Sequence, residues 1–308
     1  MPEICLLGTG GMLPLKNRWL TSCYIEHNGR AVLIDCGEGT QIAFAEHGLK
    51  LSRVDILLLT HAHADHVTGL PGLLLSMGNC SRTEPLEVVM PKSCYNTFLS
   101  LMNVCGKLPY EVRTRTLPDK EPSRFKAEVI DPMLTVSSLP LKHSMPCLGY
   151  RLDFARKPVF LPENARALGV PVEHWRTLHA GQEVTLPDGR VISPSDVTGR
   201  ERPDTVITYT TDTLPIGQIA DFAAGSDLFI CEGMYGDPDK KESMDKKGHM
   251  LMQDACRLAA SAGAKRLWLT HYSPAEPDPT VYRRELERIF PGVVISRDGE
   301  RCDLSVGK

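Results

Sequence analysis

The sequence lacks any long uninterrupted apolar run, and its N-terminus has no basic segment followed by an apolar core. A membrane-spanning helix needs about 20 consecutive apolar residues, so we expect no membrane span, and no export signal is indicated. Aromatic residues make up only 6% of the 308 residues, while charged residues make up 24%, as in ordinary globular proteins. These absences predict a cytoplasmic protein.

Cys-x-x-Cys pairs are also absent, although the chain has 10 cysteines. Several of them lie in apolar runs, where a free cysteine behaves as a small hydrophobic residue. The sequence therefore predicts reduced thiols rather than a disulfide framework. An excess of basic charge is missing as well, because the formal net charge is -3. A nucleic-acid ligand would therefore need local basic patches.

Four metal-binding side chains lie within six residues, directly after the apolar run of residues 54–59. They are His61, His63, Asp65 and His66. A continuous apolar run is typical of a strand that is buried on both faces. Neutral imidazoles combined with a carboxylate suit Zn2+ and similar ions. The pattern predicts a metal site at the end of a buried strand, and the alternative is a surface loop that happens to be rich in histidine.

Three further candidate ligands end other predicted strands. They are His143, Asp212 and His271, and Leu-Thr-His at 269–271 repeats the Leu-Thr-His at 59–61. Taken singly, each is as easily a core or capping residue. Taken with the first motif, the three are predicted to complete the shells of two metal ions, because four side chains are too few for a dinuclear site.

The motif His61-x-His63-x-Asp65-His66 resembles the signature of the metallo-beta-lactamase superfamily. Together with the segments 6–11, 35–41 and 67–74, it is similar to the ribonuclease Z family, endonucleases that remove 3' trailers from precursor tRNA. The resemblance extends from about residue 4 to about residue 295. It implies an α/β fold of four layers (αββα), in which two mixed sheets are packed face to face and flanked by helices.

The resemblance also implies a ligand set and catalytic roles. One metal ion would take His61, His63 and His143, the other Asp65, His66 and His271, and Asp212 would bridge both. Two divalent ions, Zn2+ or alternatively Mn2+ or Fe2+, would share a hydroxide that attacks phosphorus. The implied proton acceptor is Asp65, and His249, oriented and charged by Glu232, would aid departure of the 3' oxygen. In the alternative interpretation, His249 is a solvated residue before a helix and Glu232 only ends a strand.

We expect a single metallo-beta-lactamase-like domain over residues 1–308, with an inserted arm or hairpin at about 155–203, where proline and glycine are scattered. In the family, the arm grips tRNA through a Gly-Pro motif flanked by lysine and arginine. Here Gly169-Val170-Pro171 lacks that pair. The basic residues of this region are spread out: Arg151, Arg156, Lys157, Arg166 and Arg176. We assign no role to His174 and His179.

Three other positions depart from the family: Trp19 replaces Asn, Thr211 replaces Gly, and Ala275 replaces Arg. Two functions are therefore predicted as alternatives. The first is a precursor-tRNA 3' endonuclease. The second is a related hydrolase of a small phosphodiester, such as a cyclic nucleotide, or of a sulfate ester, with the arm serving dimerisation or as a lid. The resemblance also implies a homodimer.

Three local predictions concern individual segments of the chain. The pattern predicts a helix from about Val67 to Met77 and a strand near Lys126–Ile130. The segment Asp237–Lys247 contains four lysines and four acidic residues, so we expect a solvated, mobile loop whose charges cancel.

Overall fold

The computed structural model describes residues 1–304, whose contacts divide the chain into two compact units. The first unit is Met1–Asp153 together with the chain from Val206 onward, and the second is Phe154–Thr205. Within residues 1–304, no helix is long and apolar enough to cross a membrane.

The strands of the described residues are, in chain order, β1 (Glu3–Gly8), β2 (Ser22–His27), β3 (Arg30–Ile34), β4 (Val54–Leu58), β5 (Leu86–Pro91), β6 (Val112–Leu117), β7 (Ser123–Lys126), β8 (Leu134–Leu141), β9 (Cys147–Arg156), β10 (Val184–Thr185), β11 (Val191–Ile192), β12 (Arg202–Thr210), β13 (Leu228–Glu232), β14 (Leu267–Thr270), β15 (Val294–Ile295) and β16 (Arg301–Asp303). The α-helices are α1 (Thr40–Glu46), α2 (Ala64–Val67), α3 (Leu70–Asn79), α4 (Tyr95–Cys105), α5 (Pro162–Ala167), α6 (Trp175–His179), α7 (Pro194–Val197), α8 (Gln218–Phe222), α9 (Lys241–Lys247), α10 (Met252–Ala262) and α11 (Arg283–Ile289).

The first large sheet has the order β16-β1-β2-β3-β4-β5-β6. Its first strands pair antiparallel, and β3 to β6 pair parallel. Every residue of β4 is buried, as expected for a parallel strand covered on both faces. Side chains of α1, α3 and α4 complete the core on one face of this sheet, including Phe44, Leu73, Leu74, Met77 and Phe98.

The second large sheet has the order β15-β14-β13-β12-β9-β8-β7. It is mixed, because β12 to β15 pair parallel and β7 pairs antiparallel with β8. Helices α8, α10 and α11 cover it through a core that includes Ile219, Ala255, Ala259 and Leu286. The two sheets meet through Tyr150, whose hydroxyl donates to the carbonyl of Leu59 at 2.7 Å. The predicted pair of mixed sheets flanked by helices is therefore present.

The second unit has a small core of its own. Helices α5, α6 and α7 and the hairpin of β10 and β11 contribute to it, and its buried residues are Ala165, Val170, Leu178, Val184, Leu186, Ile192 and Val197. The indole of Trp175 packs against this core and donates to the carbonyl of Val170 at 3.0 Å. Much of the remaining surface of this unit is exposed.

The three local predictions need correction. The helix expected over 67–77 is interrupted, because the N–H of Gly69 donates to Cys36 at 2.9 Å between α2 and α3. The strand expected at 126–130 is wrong, since β7 ends at Lys126 and the N–H of Ile130 closes a turn onto Ala127. The loop expected at 237–247 contains α9, which buried Met244 and two i,i+4 ion pairs stabilise.

Candidate metal centre

The predicted ligands lie at the ends of strands. His61 follows β4, Asp212 follows β12, His271 follows β14 and His143 follows β8. Strands β12 and β14 run parallel in the second sheet and end at the same edge, which brings Asp212 and His271 together, whereas His61 follows a strand of the first sheet. The remaining three, His63, Asp65 and His66, are supplied by the turn into α2.

The first group consists of His61, His63 and His143. The Nδ1 atom of His63 lies 3.0 Å from Nε2 of His61 and 3.1 Å from Nε2 of His143. His61 is fully buried, whereas His63 and His143 are partly exposed. Three ring nitrogens from two separate segments of the chain therefore meet at one point.

The second group consists of Asp65, His66 and His271. The Nε2 atoms of the two histidines are 3.2 Å apart, and Oδ2 of Asp65 lies 3.4 Å from Nε2 of His271. All three residues are buried. Although 205 positions separate His66 from His271 in the chain, their rings are neighbours.

Asp212 lies between the two groups. Its Oδ1 is 3.2 Å from Nε2 of both His66 and His271, while its Oδ2 is 3.6 Å from Nε2 of His61 and 3.7 Å from Nε2 of His143. Burial disfavours the charged carboxylate, yet the charges of neighbouring His271 and His66 hold the pKa of Asp212 well below its usual range. Each carboxylate oxygen thus faces one group.

Hydrogen bonds behind the histidines determine which ring nitrogen faces the centre. His66 donates from Nδ1 to Asp35 at 2.7 Å, and His143 donates from Nδ1 to the carbonyl of Gly248 at 2.9 Å. The hydroxyl of Thr60, which donates to Asp35, accepts from Nδ1 of His61 at 3.0 Å. These contacts direct the Nε2 atoms of all three rings to the centre, where each neutral ring can offer a lone pair. Converging lone pairs beside a carboxylate fit divalent cations.

The glycine-rich turn after β1 also contacts the candidate metal ligands. The backbone N–H of Met12 donates to Oδ2 of Asp65 at 2.6 Å. A Cβ atom at Gly11 would lie 2.7 Å from Cε1 of His271, so only glycine allows this close approach. The sequence alone does not reveal this contact.

His249 and Glu232, the residues implied in departure of the 3' oxygen, also lie in contact. His249 Nδ1 lies 2.9 Å from Oε2 of the fully buried Glu232, whose Oε1 accepts from the N–H of Thr213 at 2.5 Å. Burial opposes a charged imidazole, but the carboxylate of Glu232 outweighs it and raises the pKa of His249 to about 9. The Nδ1 atom of His249 is 4.0 Å from Oδ2 of Asp212, so the pair borders the metal-ligand cluster.

A cavity of about 240 Å3 opens onto these groups. One side carries histidine and aspartate, and the other is largely apolar. The lining residues are Met12, His63, Asp65, His143, Ser144, Asp212, Met234, Tyr235, Met244, Lys247, His249 and His271. The cavity therefore combines a polar reaction end with a wall suited to an apolar or aromatic group.

The three positions that depart from the family have different surroundings. The hydroxyl of Thr211 donates to Oδ1 of Asp212 at 2.6 Å, so this residue contacts the central carboxylate directly. The indole of Trp19 donates to Glu46 at 2.9 Å beside a neighbouring surface cavity. Ala275 is exposed.

The predicted basic residues are not gathered into one patch by their contacts. Arg151 is held by Asp153 and by the carbonyl of Phe222, and Arg166 lies over the ring of Trp175. Lys157 and Arg176 are exposed. His179 is exposed as well, and its Nε2 lies 3.3 Å from the carbonyl oxygen of Pro158.

Sequence reasoning missed Asp35, Thr60 and Gly248, which orient the histidines. One signal was available for Asp35, because it directly follows β3 within a segment that carries the family resemblance. Its positive φ of 60° is uncommon outside glycine and is typical of functional positions. The carbonyl of Gly248 has no side-chain signal, so the sequence alone does not reveal it.

Comparisons with known proteins show what the chain is similar to. A family model described as the anti-Pycsar protein Apyc1 matches residues 2–109, and one described as a beta-lactamase superfamily domain matches residues 161–272. A protein named ribonuclease Z from Lachnoclostridium phytofermentans is 41% identical over 308 residues, which cover 100% of this chain and 99% of that protein.

Solved structures resemble the fold over nearly the whole chain. The metallo-beta-lactamase fold protein YhfI from Bacillus subtilis has a TM-score of 0.68 at 18% identity and covers 98% of both chains. The short form of human tRNase Z has a TM-score of 0.68 at 20% identity and covers 98% of this chain and 99% of its own. The predicted metallo-beta-lactamase fold is thereby confirmed.

Proposed function

Because the chain belongs to the ribonuclease Z family, we propose that it is a metal-dependent endonuclease that removes 3' trailers from precursor tRNA. The observation that carries the proposal is the convergence of seven histidine and aspartate side chains, five of which line one small cavity together with His249, the hydrogen-bond partner of Glu232. The first predicted function is thus the one that this site supports best.

The proposed ligands are those of the two groups joined by Asp212. His61, His63 and His143 would hold one divalent ion, and Asp65, His66 and His271 the other. Such ions supply activation of a water molecule and stabilisation of negative charge on the phosphate. We propose Zn2+, because histidine nitrogens and carboxylate oxygens in this ratio suit it, with Mn2+ and Fe2+ as the alternatives.

Asp65 and His249 would move protons on opposite sides of the phosphate. Asp65 accepts the proton of the attacking water, and the N–H of Met12 holds its carboxylate in place. His249 donates a proton from Nε2 to the departing 3' oxygen. Glu232 accepts the Nδ1 proton of His249, which directs the other nitrogen away from the carboxylate and supports the charged ring.

The test is cleavage of an unmodified precursor tRNA by the purified protein with Zn2+ or Mn2+. The expected product ends just after the discriminator nucleotide. The second candidate is hydrolysis of a small phosphodiester or sulfate ester, which the limited volume of the cavity favours. Turnover of bis(p-nitrophenyl) phosphate or a cyclic nucleotide, without cleavage of precursor tRNA at any protein concentration, would contradict the endonuclease proposal.

The domain organisation, the oligomeric state and the cellular location are proposals as well. We propose one catalytic domain with residues 155–203 as an inserted arm that contacts RNA, and a homodimer as the assembled form. We further propose a cytoplasmic location, which the 10 free cysteines support, because eight of them are buried and none is paired. Size-exclusion chromatography with light scattering measures the assembly.

A further inference from the structure

Lys247 lies at the mouth of the cavity that contains the metal-ligand cluster. It is the only lysine or arginine among the described residues that line this cavity. The residue is exposed, and its ammonium has no hydrogen bond or ion pair with any residue of the described part of the chain. A free cation is therefore available beside the reaction centre.

The other lysines of α9 differ from it. The ammonium of Lys241 is paired with Asp245 and lies 3.7 Å from Asp254, and that of Lys246 lies 2.7 Å from Glu242. The expected cancellation of charge in this segment therefore holds for these two lysines and not for Lys247. In a solvated loop with evenly mixed charges, the three lysines would have similar surroundings.

The position of Lys247 is fixed by its neighbours on both sides. Met244, one turn earlier in α9, is buried in a cluster with Met234 and Leu251. Gly248 ends the helix with a φ of 76°, and its carbonyl accepts from His143 Nδ1 at 2.9 Å. Adjacent Cα atoms are about 3.8 Å apart, so Lys247 lies next to Gly248, whose carbonyl contacts the proposed ligand His143.

We propose that Lys247 binds the non-bridging oxygens of the scissile phosphate. The proposal rests on the proposed phosphodiesterase function and deepens it by naming a substrate contact. A phosphate diester is an anion, and Lys247 supplies the one ammonium or guanidinium among the described residues that line the cavity, so it can pair with phosphate oxygens that the proposed metal ions leave free. A lysine ammonium binds phosphate as a point charge, and the flexible side chain that carries it can adjust to the position of the phosphate.

The test compares Lys247→Gln, Lys247→Arg and the matched control Lys246→Gln, which removes the neighbouring charge of the same helix. Each is assayed on precursor tRNA and on bis(p-nitrophenyl) phosphate, with metal content measured in parallel. For Lys247→Gln, we expect KM to rise roughly five- to tenfold on both substrates with metal content unchanged. On precursor tRNA, the slope of log KM against log salt should fall by about one.

Lys247→Arg should restore most of the affinity, and Lys246→Gln should leave KM within about twofold, since a paired surface charge contributes little. The proposal is overturned if Lys247→Gln matches the wild type on both substrates, if Lys246→Gln causes the same change, or if Lys247→Gln loses metal. If the wild-type protein cleaves only the small diester, the endonuclease function fails, and the KM for the small diester still decides the role of Lys247.

Discussion

Three histidines of the first compact unit and the two histidines of the second lie in different environments. In the first unit, His61, His66 and His271 are 0% exposed and lie against carboxylates or one another. In the second, His174 is partly exposed and His179 is exposed. Burying a polar ring costs free energy unless a partner compensates, so the buried set needs a ligand or charge that the exposed pair does not.

Histidine content alone therefore does not identify a metal site. Placement after a strand, burial and a hydrogen bond to the outer ring nitrogen occur together at His61 in the first unit. The second unit instead has a small apolar core around Leu178. We therefore expect substitutions in the first unit to change chemistry and those in the second to change local stability.

The largest effect should follow Asp212→Asn. One carboxylate oxygen faces each histidine group, so loss of the charge weakens both proposed metal sites at once. Turnover should fall by roughly a thousandfold or more, with loss of bound metal. His179→Asn is the matched change in the second unit. Equal metal content and turnover in wild type and Asp212→Asn would remove the basis of the comparison.

His249→Ala should lower turnover by roughly 10²- to 10⁴-fold, because the departing oxygen loses its proton donor. Metal content should be unchanged, which elemental analysis checks. Adding Glu232→Gln to this variant should cost little more, since the two residues act as one pair. Loss of metal from His249→Ala would show that the histidine is a ligand and not a proton donor.

Asp35→Asn should reduce metal affinity by roughly 10- to 100-fold, because the Nδ1 proton of His66 loses its charged acceptor. Competition with a metal chelator measures this affinity without any activity assay. Asp131→Asn serves as a control, because Asp131 contacts His27, which is not a proposed ligand. An unchanged affinity would mean that Asp35 supports the fold and not the metal ions.

The smallest effect on chemistry should follow Leu178→Ala. Truncating this fully buried residue should destabilise the second unit by about 2 to 5 kcal/mol, as hydrogen exchange would report. Turnover of bis(p-nitrophenyl) phosphate should stay within about twofold. Val172→Ala, at a position 70% exposed, is the control. A collapse of small-diester turnover in Leu178→Ala would show that the second unit supports the reaction centre.

The apolar run of β4 and the spacing of His61, His63, Asp65 and His66 were sufficient to predict a buried strand followed by a ligand-rich turn. Both features are local, because hydrophobic periodicity and ligand spacing are readable within a dozen residues. The structure brings the ends of distant strands together, and for Asp212 and His271 the reason is that β12 and β14 run parallel and end at a shared edge of the second sheet.

What the sequence did not reveal depends on tertiary contacts. The acceptor for His143 is a backbone carbonyl, at Gly248, which no residue type announces. Helix α9 was expected to be a loop because its charges cancel, yet the burial of Met244 decides its conformation. Lys247 differs from its paired neighbours because of its position on that helix, so the sequence does not reveal this difference either.

The proposed dinuclear centre is tested by the number of divalent metal ions bound per chain after loading with Zn2+ and removal of the excess. We expect about two ions per chain in the wild-type protein. A content below one ion per chain, in folded protein, would contradict the claim that these seven side chains form a dinuclear centre.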